Sequence, residues 1–269
     1  MADGHGAQGR RWRLSARLLS GALAVALASV LGTAPTRVCA AVQTAEAAPG
    51  MGERVLACTA CHGEQGRATP GGYFPRIAGK PTGYLYNQLL NFRDGRRSYP
   101  QMSWLLEHLT DDYLQDIARH FAGLQLPYAP APAAPVPQAL LERGQQLVRR
   151  GDAQRDIPAC TSCHGETLAG VQPWLPGLLG LSRDYIASQL GAWQTGQRRA
   201  HEPDCMASIA RRLSAQDVGA IAAWLAVQPP PARIEPAEHL PEQLPLRCGG
   251  LQAGSGLGTA VRARVGGLP

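Results

Sequence analysis

The pattern Cys-x-x-Cys-His-Gly occurs twice in this chain. On a short helix, two thiols three positions apart can each form a thioether with one vinyl group of a porphyrin. The histidine that follows then lies under the iron and offers its Nε2 as the proximal ligand. The two copies therefore predict two covalently bound haem c groups, whose attachment and proximal-ligand residues are Cys58, Cys61, His62, Cys160, Cys163 and His164.

Two other chemistries use paired cysteines, and both fit this sequence less well. Zinc ribbons place their cysteine pairs roughly 15–20 residues apart, whereas 98 residues lie between Cys61 and Cys160. A thioredoxin-like redox site needs a βαβ context, and no strand pattern surrounds either motif. Haem attachment is the prediction that remains.

A six-coordinate haem needs a second axial ligand, and methionine is the expected donor. Met102 and Met206 follow the two motif histidines by 40 and 42 residues, and each precedes a helix with a capping residue. A soft thioether favours Fe(II) and raises the reduction potential, which suits an electron carrier. We predict Met102 and Met206 as the distal iron ligands. The rival donors are His108 and His120 in the first copy, and His201 in the second.

Cys205 stands directly beside Met206 and allows three interpretations. Its thiolate could replace the methionine as an iron ligand, which would lower the reduction potential. It could also be a free thiol, or it could form a disulfide with Cys248 in an oxidising compartment.

The segments that hold these residues form an internal repeat, with two copies of one unit along the chain. Matching residues in the two copies are separated by 101 positions. The matched pairs are Pro75 and Pro176, Gly79 and Gly180, Tyr84 and Tyr185, Gln88 and Gln189, Phe92 and Trp193, and Gly95 and Gly196. Apolar residues recur at helical spacing in both copies. This repeat predicts an all-α chain of two tandem duplicated domains, each with its own haem motif. Domain 1 is expected at residues 50–126, a Pro/Ala linker at 127–137, domain 2 at 138–228, and an irregular tail at 229–269.

Local signals place several further residues. Thr110 is predicted to cap the last helix of domain 1, and Ser214 with Asp217 forms a capping box for the last helix of domain 2. Residues 98–102 are expected to be extended, because proline disfavours helix in the residue before it. The carbonyls of Pro75 and Pro176 are expected to accept a hydrogen bond from each haem histidine.

Residues 1–40 have the features of a signal peptide. A start containing Arg10 and Arg11 leads into an apolar run at residues 18–31. This segment predicts export to the periplasm, where haem is attached, and an uncleaved signal would give membrane association. The segment carries five Arg and one Asp, which leaves 21 basic and 19 acidic side chains in the remainder. No basic block with aromatic residues is present, so nucleic acid is not expected as a partner.

These features together resemble the dihaem cytochrome c4 family over about residues 50–228. The resemblance rests on the two Cys-x-x-Cys-His-Gly motifs, the Pro/Gly loop after each, the Tyr-x-x-x-Gln-Leu helix and a methionine before each final helix. It implies two tandem class I cytochrome c domains about a pseudo-twofold axis, with haems that approach through their propionate edges.

Membership of this family implies an electron carrier rather than an enzyme. Electrons would pass through two His/Met-ligated haems to a respiratory acceptor such as a terminal oxidase, with quinol–cytochrome c reductase or a dehydrogenase as the other redox partner. The alternative is a dihaem cytochrome subunit of a periplasmic dehydrogenase complex. A dihaem enzyme with a Cys-ligated or open haem is less favoured, because two methionines stand at equivalent places.

Overall fold

The computed structural model describes residues 50–69, 72–129, 135–229, 235–239 and 243–251. The predicted signal peptide lies outside these ranges, and so does the middle of the predicted linker, at residues 130–134. All described residues belong to one unit of the chain, residues 47–269. Within them, no helix is both long and apolar enough to cross a lipid bilayer.

Helices dominate both halves of the described chain, which confirms the predicted all-α fold. The first half, residues 50–129, contains α1 (Met51–Arg54), α2 (Leu56–His62), α3 (Thr82–Arg93), α4 (Pro100–Leu106) and α5 (Asp111–Ala122). The second half, residues 135–229, contains α6 (Gln138–Arg150), α7 (Thr161–His164), α8 (Arg183–Thr195), α9 (Cys205–Ala210) and α10 (Ala215–Ala226). Short 3-10 turns lie at Glu64–Gly66, Ala153–Arg155 and Gly249–Leu251.

A small antiparallel hairpin adds to this fold, although the sequence predicted no strand. β1 (Gly170–Val171) pairs with β2 (Leu175–Pro176), with Val171 opposite Leu175. The hairpin follows α7 directly and therefore forms part of the loop that wraps the second motif.

Each half has a hydrophobic core of its own. In the first half α3 packs against α5, and in the second half α10 packs against α6 and α8. Gly144 on α6 allows the closest approach, because a Cβ there would overlap the backbone of Ala220 on α10. The side chains at the two centres are Leu85, Leu114, Ile117 and Phe121 in the first half, and Leu147, Val148, Ile221 and Leu225 in the second.

The predicted caps of the two last helices are confirmed. Thr110 Oγ1 accepts a hydrogen bond from the Tyr113 backbone N–H at 3.3 Å. Ser214 Oγ accepts from the Asp217 N–H at 3.1 Å, and Asp217 Oδ2 accepts from the Ser214 N–H at 3.0 Å. Both caps provide hydrogen-bond acceptors for backbone N–H groups that have no acceptor within the first turn of the helix.

The prediction of an extended segment over residues 98–102 is wrong beyond Tyr99. Tyr99 has extended dihedrals, but α4 begins at Pro100. Proline restricts the residue before it and is well suited to the first position of a helix. Met102 therefore lies on the short helix α4, as Met206 lies on the short helix α9.

The two halves meet through backbone and side chains. The Ser98 N–H donates to Gln197 O at 2.9 Å, and the Arg199 N–H donates to Arg96 O at 2.7 Å. The start of α3 packs so tightly on the second half that a Cβ at Gly83 would overlap the ring of Trp174. These contacts place the start of α3 and the chain at residues 96–98 against Trp174 and residues 197–199 of the second half.

Candidate haem-binding site

Both Cys-x-x-Cys-His motifs end a helix at the histidine. α2 stops at His62 and α7 stops at His164, and a glycine with positive φ follows each. Gly63 has a φ of 77°, and a Cβ there would overlap the backbone of Ala68. The chain therefore turns sharply after the histidine, which leaves the imidazole facing the interior.

The two imidazoles are oriented in the same way. His62 Nδ1 lies 2.8 Å from Pro75 O, and His164 Nδ1 lies 2.8 Å from Pro176 O. These contacts confirm the predicted role of both proline carbonyls. Donation from Nδ1 leaves Nε2 available for a metal. Burial lowers the pKa of both histidines, so each imidazole is held in the neutral form that can bind iron.

None of the four motif cysteines forms a disulfide with another described residue. Burial raises the pKa of Cys160 to about 12, and it also raises the pKa of Cys58 and Cys163. Among the described residues, no three His, Cys, Asp or Glu side chains gather where they could hold a metal ion. The two cysteine pairs therefore do not form a shared zinc site.

A single cavity of about 850 Å³ connects the two motifs. Its walls include both motif histidines, and Met102 and Met206 also line it. Apolar side chains form most of the remaining wall, as a flat porphyrin requires. The two cofactor positions are thus neighbours in one interior space, at the boundary between the halves.

The rival ligands are placed differently in the two halves. His108 and His120 are not among the residues that line the cavity, and the His108 side chain is 89% exposed. His201 does line the cavity, and its Nε2 is buried without a hydrogen-bond partner. The second half therefore brings two potential donors, His201 and Met206, to the same space.

Of the three interpretations of Cys205, the structure shows the disulfide. Cys205, the first residue of α9, is bonded to Cys248 of the tail. Its sulfur is therefore not a free thiolate that could serve as an iron ligand.

Two buried arginines in the cavity wall were not identified from the sequence. Arg97 and Arg198 are 9% and 5% exposed, and neither forms a salt bridge within the described residues. Their hydrogen-bond partners are the neutral side chains of Gln88, Gln189, Tyr84 and Tyr185. The sequence does contain a signal for this pair, because Arg97 and Arg198 are separated by the same 101 positions as the other matched residues of the repeat.

Lys80 is a third buried cation, and it is the only lysine in the chain. It is 6% exposed, and its Nζ donates to Gly177 O of the second half at 2.9 Å. Burial, helped by the charge of Arg76, lowers the pKa of Lys80 to about 7. Unpaired buried cations are costly, so Arg97, Arg198 and Lys80 together fit an anionic group in the cavity. The carboxylates of haem are such groups, and bound haem supplies one-electron Fe(II)/Fe(III) chemistry here.

Comparison with known proteins agrees with this site, although no family model matches the chain. The "Thiosulfate dehydrogenase electron acceptor" of Thiomonas intermedia is 38% identical over 183 residues, which cover 68% of this chain and 83% of that protein. The cytochrome c4 of Pseudomonas aeruginosa is 35% identical over 182 residues, which cover 67% of this chain and 87% of the relative.

A solved structure adds the fold to this likeness. Reduced recombinant cytochrome c4 from Pseudomonas stutzeri matches with a TM-score of 0.55 and 31% identity, covering 64% of this chain and 95% of that one. With two haem c motifs at one cavity, these matches show an electron-transfer protein with two covalently bound haem c groups, not an enzyme, and the chain belongs to the dihaem cytochrome c4 family.

Proposed function

We propose that this chain accepts single electrons from a thiosulfate-oxidising dehydrogenase in the periplasm and passes them to a respiratory acceptor such as a terminal oxidase. The proposed identity of the electron donor rests on the 38% identity to the Thiomonas protein, whose name describes it as the electron acceptor of a thiosulfate dehydrogenase. The family itself supplies only the general role of electron carrier.

We also propose the ligands of both irons. The first iron binds His62 and Met102, the second binds His164 and Met206, and thioethers from Cys58, Cys61, Cys160 and Cys163 attach the two porphyrins. The oriented, neutral imidazoles and the place of both methionines in the cavity wall support this assignment. Thioether ligands raise the reduction potential, as a donor to an oxidase requires.

The domain boundaries and the export route complete the proposal. Domain 1 spans residues 50–126 and domain 2 spans 138–228, with the linker at 127–137 and the tail at 229–269. The separate core of each half supports this division. Residues 1–40 would direct the chain to the periplasm, where quinol–cytochrome c reductase is a further candidate donor.

The test is direct reduction by the donor. A purified thiosulfate dehydrogenase and thiosulfate are mixed with the oxidised dihaem protein, and the visible bands of reduced haem are followed over time. We expect rapid reduction of both haems, with none when either the dehydrogenase or thiosulfate is omitted. If ascorbate reduces the haems but the dehydrogenase and thiosulfate do not, the proposed donor is wrong.

The same mixture separates a carrier from a permanent subunit. A carrier must leave its donor after each transfer, so we expect the two proteins to elute separately in size-exclusion chromatography at physiological salt. Co-elution as one stable species would instead assign the chain as the dihaem cytochrome subunit of a dehydrogenase complex.

A further inference from the structure

A segment of the tail lies across the methionine side of the second haem position. This segment, residues 243–251, is called the strap below. The disulfide from Cys248 to Cys205 joins it to the start of α9. The Gly249 N–H donates to Pro203 O at 2.9 Å, and Gly250 O accepts from Asn87 Nδ2 of the first half at 2.7 Å. The strap is therefore attached to both halves.

The strap also forms part of the cavity wall. Leu244, Leu246 and Leu251 line the same interior space as Met206. No disulfide links α4, the helix of Met102, to any other described residue. The closure over the methionine is thus a feature of the second half alone.

Close packing holds the chain that leads to Met206. A Cβ at Gly249 would overlap the backbone of Glu202 and lie 2.6 Å from His201 O. On the other side Asp204, which is 6% exposed, accepts from the Ala207 N–H at 2.9 Å and caps α9. The methionine helix is therefore held between its own cap and the strap.

We infer that the strap is a positioning element for the second haem: through the Cys205–Cys248 disulfide it keeps Met206 on the iron and closes that side to small external ligands. The inference rests on the proposed ligation by Met206. Thioether–iron bonds are weak enough to exchange when their helix moves, and the disulfide restricts that movement. Opening the disulfide would free the second haem for a small ligand such as carbon monoxide, and would leave the first haem unchanged.

The test compares carbon monoxide binding in the whole dihaem protein before and after the disulfide is removed. Both cysteines are replaced together, as C205S/C248S, because one remaining thiol beside Met206 could itself bind iron. Haem is reduced with ascorbate, which leaves disulfides intact. We expect no binding in the wild type and binding to about half of the total haem in the variant.

Two neighbouring glycines provide a matched pair that keeps the disulfide. Gly249→Ala forces a Cβ into the backbone of Glu202, whereas Gly250→Ala meets no atom within 4 Å. We expect Gly249→Ala to admit carbon monoxide at the second haem and Gly250→Ala to behave as the wild type.

The outcomes separate this inference from the proposed ligands. If C205S/C248S retains both haems with normal spectra and binds no carbon monoxide, the strap does not position Met206 and the inference is overturned. If the ascorbate-reduced wild type already binds carbon monoxide at half of its haem and Met206→Ala does not raise that fraction, or if Met206→Ala leaves the spectrum unchanged, the proposed Met206 ligation is wrong.

Discussion

Arg97 and Arg198 share the same two acceptors across the boundary between the halves. Gln189 Oε1 accepts from Arg97 at 2.6 Å and from Arg198 at 2.8 Å, and Gln88 Oε1 lies 2.9 Å from both guanidinium groups. Each arginine also reaches the tyrosine of the opposite half. The contacts are exchanged between the copies, so the duplication has produced a local twofold arrangement with two positive charges at its centre.

The charge of Arg97 should raise the potential of the first haem. Arg97 also contributes to the lowered pKa of His62, so its field reaches that site. Removing the charge in Arg97→Gln should favour Fe(III) and lower the potential by roughly 50 mV, close to a tenfold change in a one-electron equilibrium. Redox titration monitored by absorbance measures the shift. Arg97→Lys keeps the charge and serves as the control; equal shifts in both variants would indicate lost packing rather than lost charge.

Lys80 should act in the same way on the second haem. Its charge contributes to the lowered pKa of His164, whereas Arg97 affects His62. Lys80→Met retains the apolar stem and removes the ammonium group. At pH 6, below the lowered Lys80 pKa of about 7, the variant should therefore lower the second potential by roughly 50 mV and leave the first nearly unchanged. Voltammetry that resolves two waves checks this. A shift of the first wave alone would contradict the placement.

Each predicted methionine ligand should affect a different haem. Met102→Ala and Met206→Ala should each open one iron, so that ferrous protein binds carbon monoxide at about half of its haem and one potential falls. The double variant should bind at both haems. His201→Ala is the control in the second half, since His201 also lines that cavity. A changed spectrum in His201→Ala with a normal Met206→Ala would assign the ligand to His201 instead.

Local chemistry was readable from the sequence because it depends on short spacings. The two haem motifs, the capping box at Ser214 and the proline carbonyls at Pro75 and Pro176 all act within about a dozen residues. The extended segment was wrong because the rule on residues before proline applies to Tyr99 and not to the residues that follow Pro100.

Contacts between distant residues were not readable in the same way. Arg97 meets partners 88 and 92 positions away, and the disulfide joins cysteines 43 positions apart. Sequence spacing does not give the Cα separation that a disulfide requires, so Cys205 kept three interpretations. The repeat does contain the arginine pair, but only the folded boundary shows that both side chains point into it.

Asp217 should stabilise the second half in a pH-dependent way. Burial opposes its negative charge, but hydrogen bonds from Arg155, Ser214 and Arg143 outweigh burial and hold the pKa of its carboxyl well below the usual range. The lowered pKa adds stability above the unfolded value of about 3.9, and this stability is lost as the pH falls below it. Asp217→Asn should therefore cost about 2 kcal/mol at pH 7.

Denaturant unfolding at several pH values measures this effect. The difference between the wild type and Asp217→Asn should be constant above about pH 5 and should shrink as the pH falls below about 4. Asp116→Asn is a suitable control, since Asp116 pairs with Arg119 on the exposed face of α5, where such pairs contribute little. If the difference in unfolding free energy between the wild type and Asp217→Asn does not vary with pH, the lost stability comes from altered packing and not from the lost charge.

The contact between Gly83 and Trp174 should control how closely the halves meet. An added methyl group at Gly83 would overlap the indole ring and lie 2.8 Å from Pro173 O, and neither can move without shifting the hairpin loop. Gly83→Ala should therefore lower the free energy of unfolding by about 1–3 kcal/mol. Gly191→Ala, in helix α8, meets no atom within 4 Å and should be neutral or stabilising by about 0.5–1 kcal/mol.

The same two variants also test whether the Gly83–Trp174 contact couples the two halves. If it does, Gly83→Ala should change the difference between the two reduction potentials, and Gly191→Ala should not. Loss of stability without any change in that difference would show that the contact holds the fold together but does not set the distance between the haems.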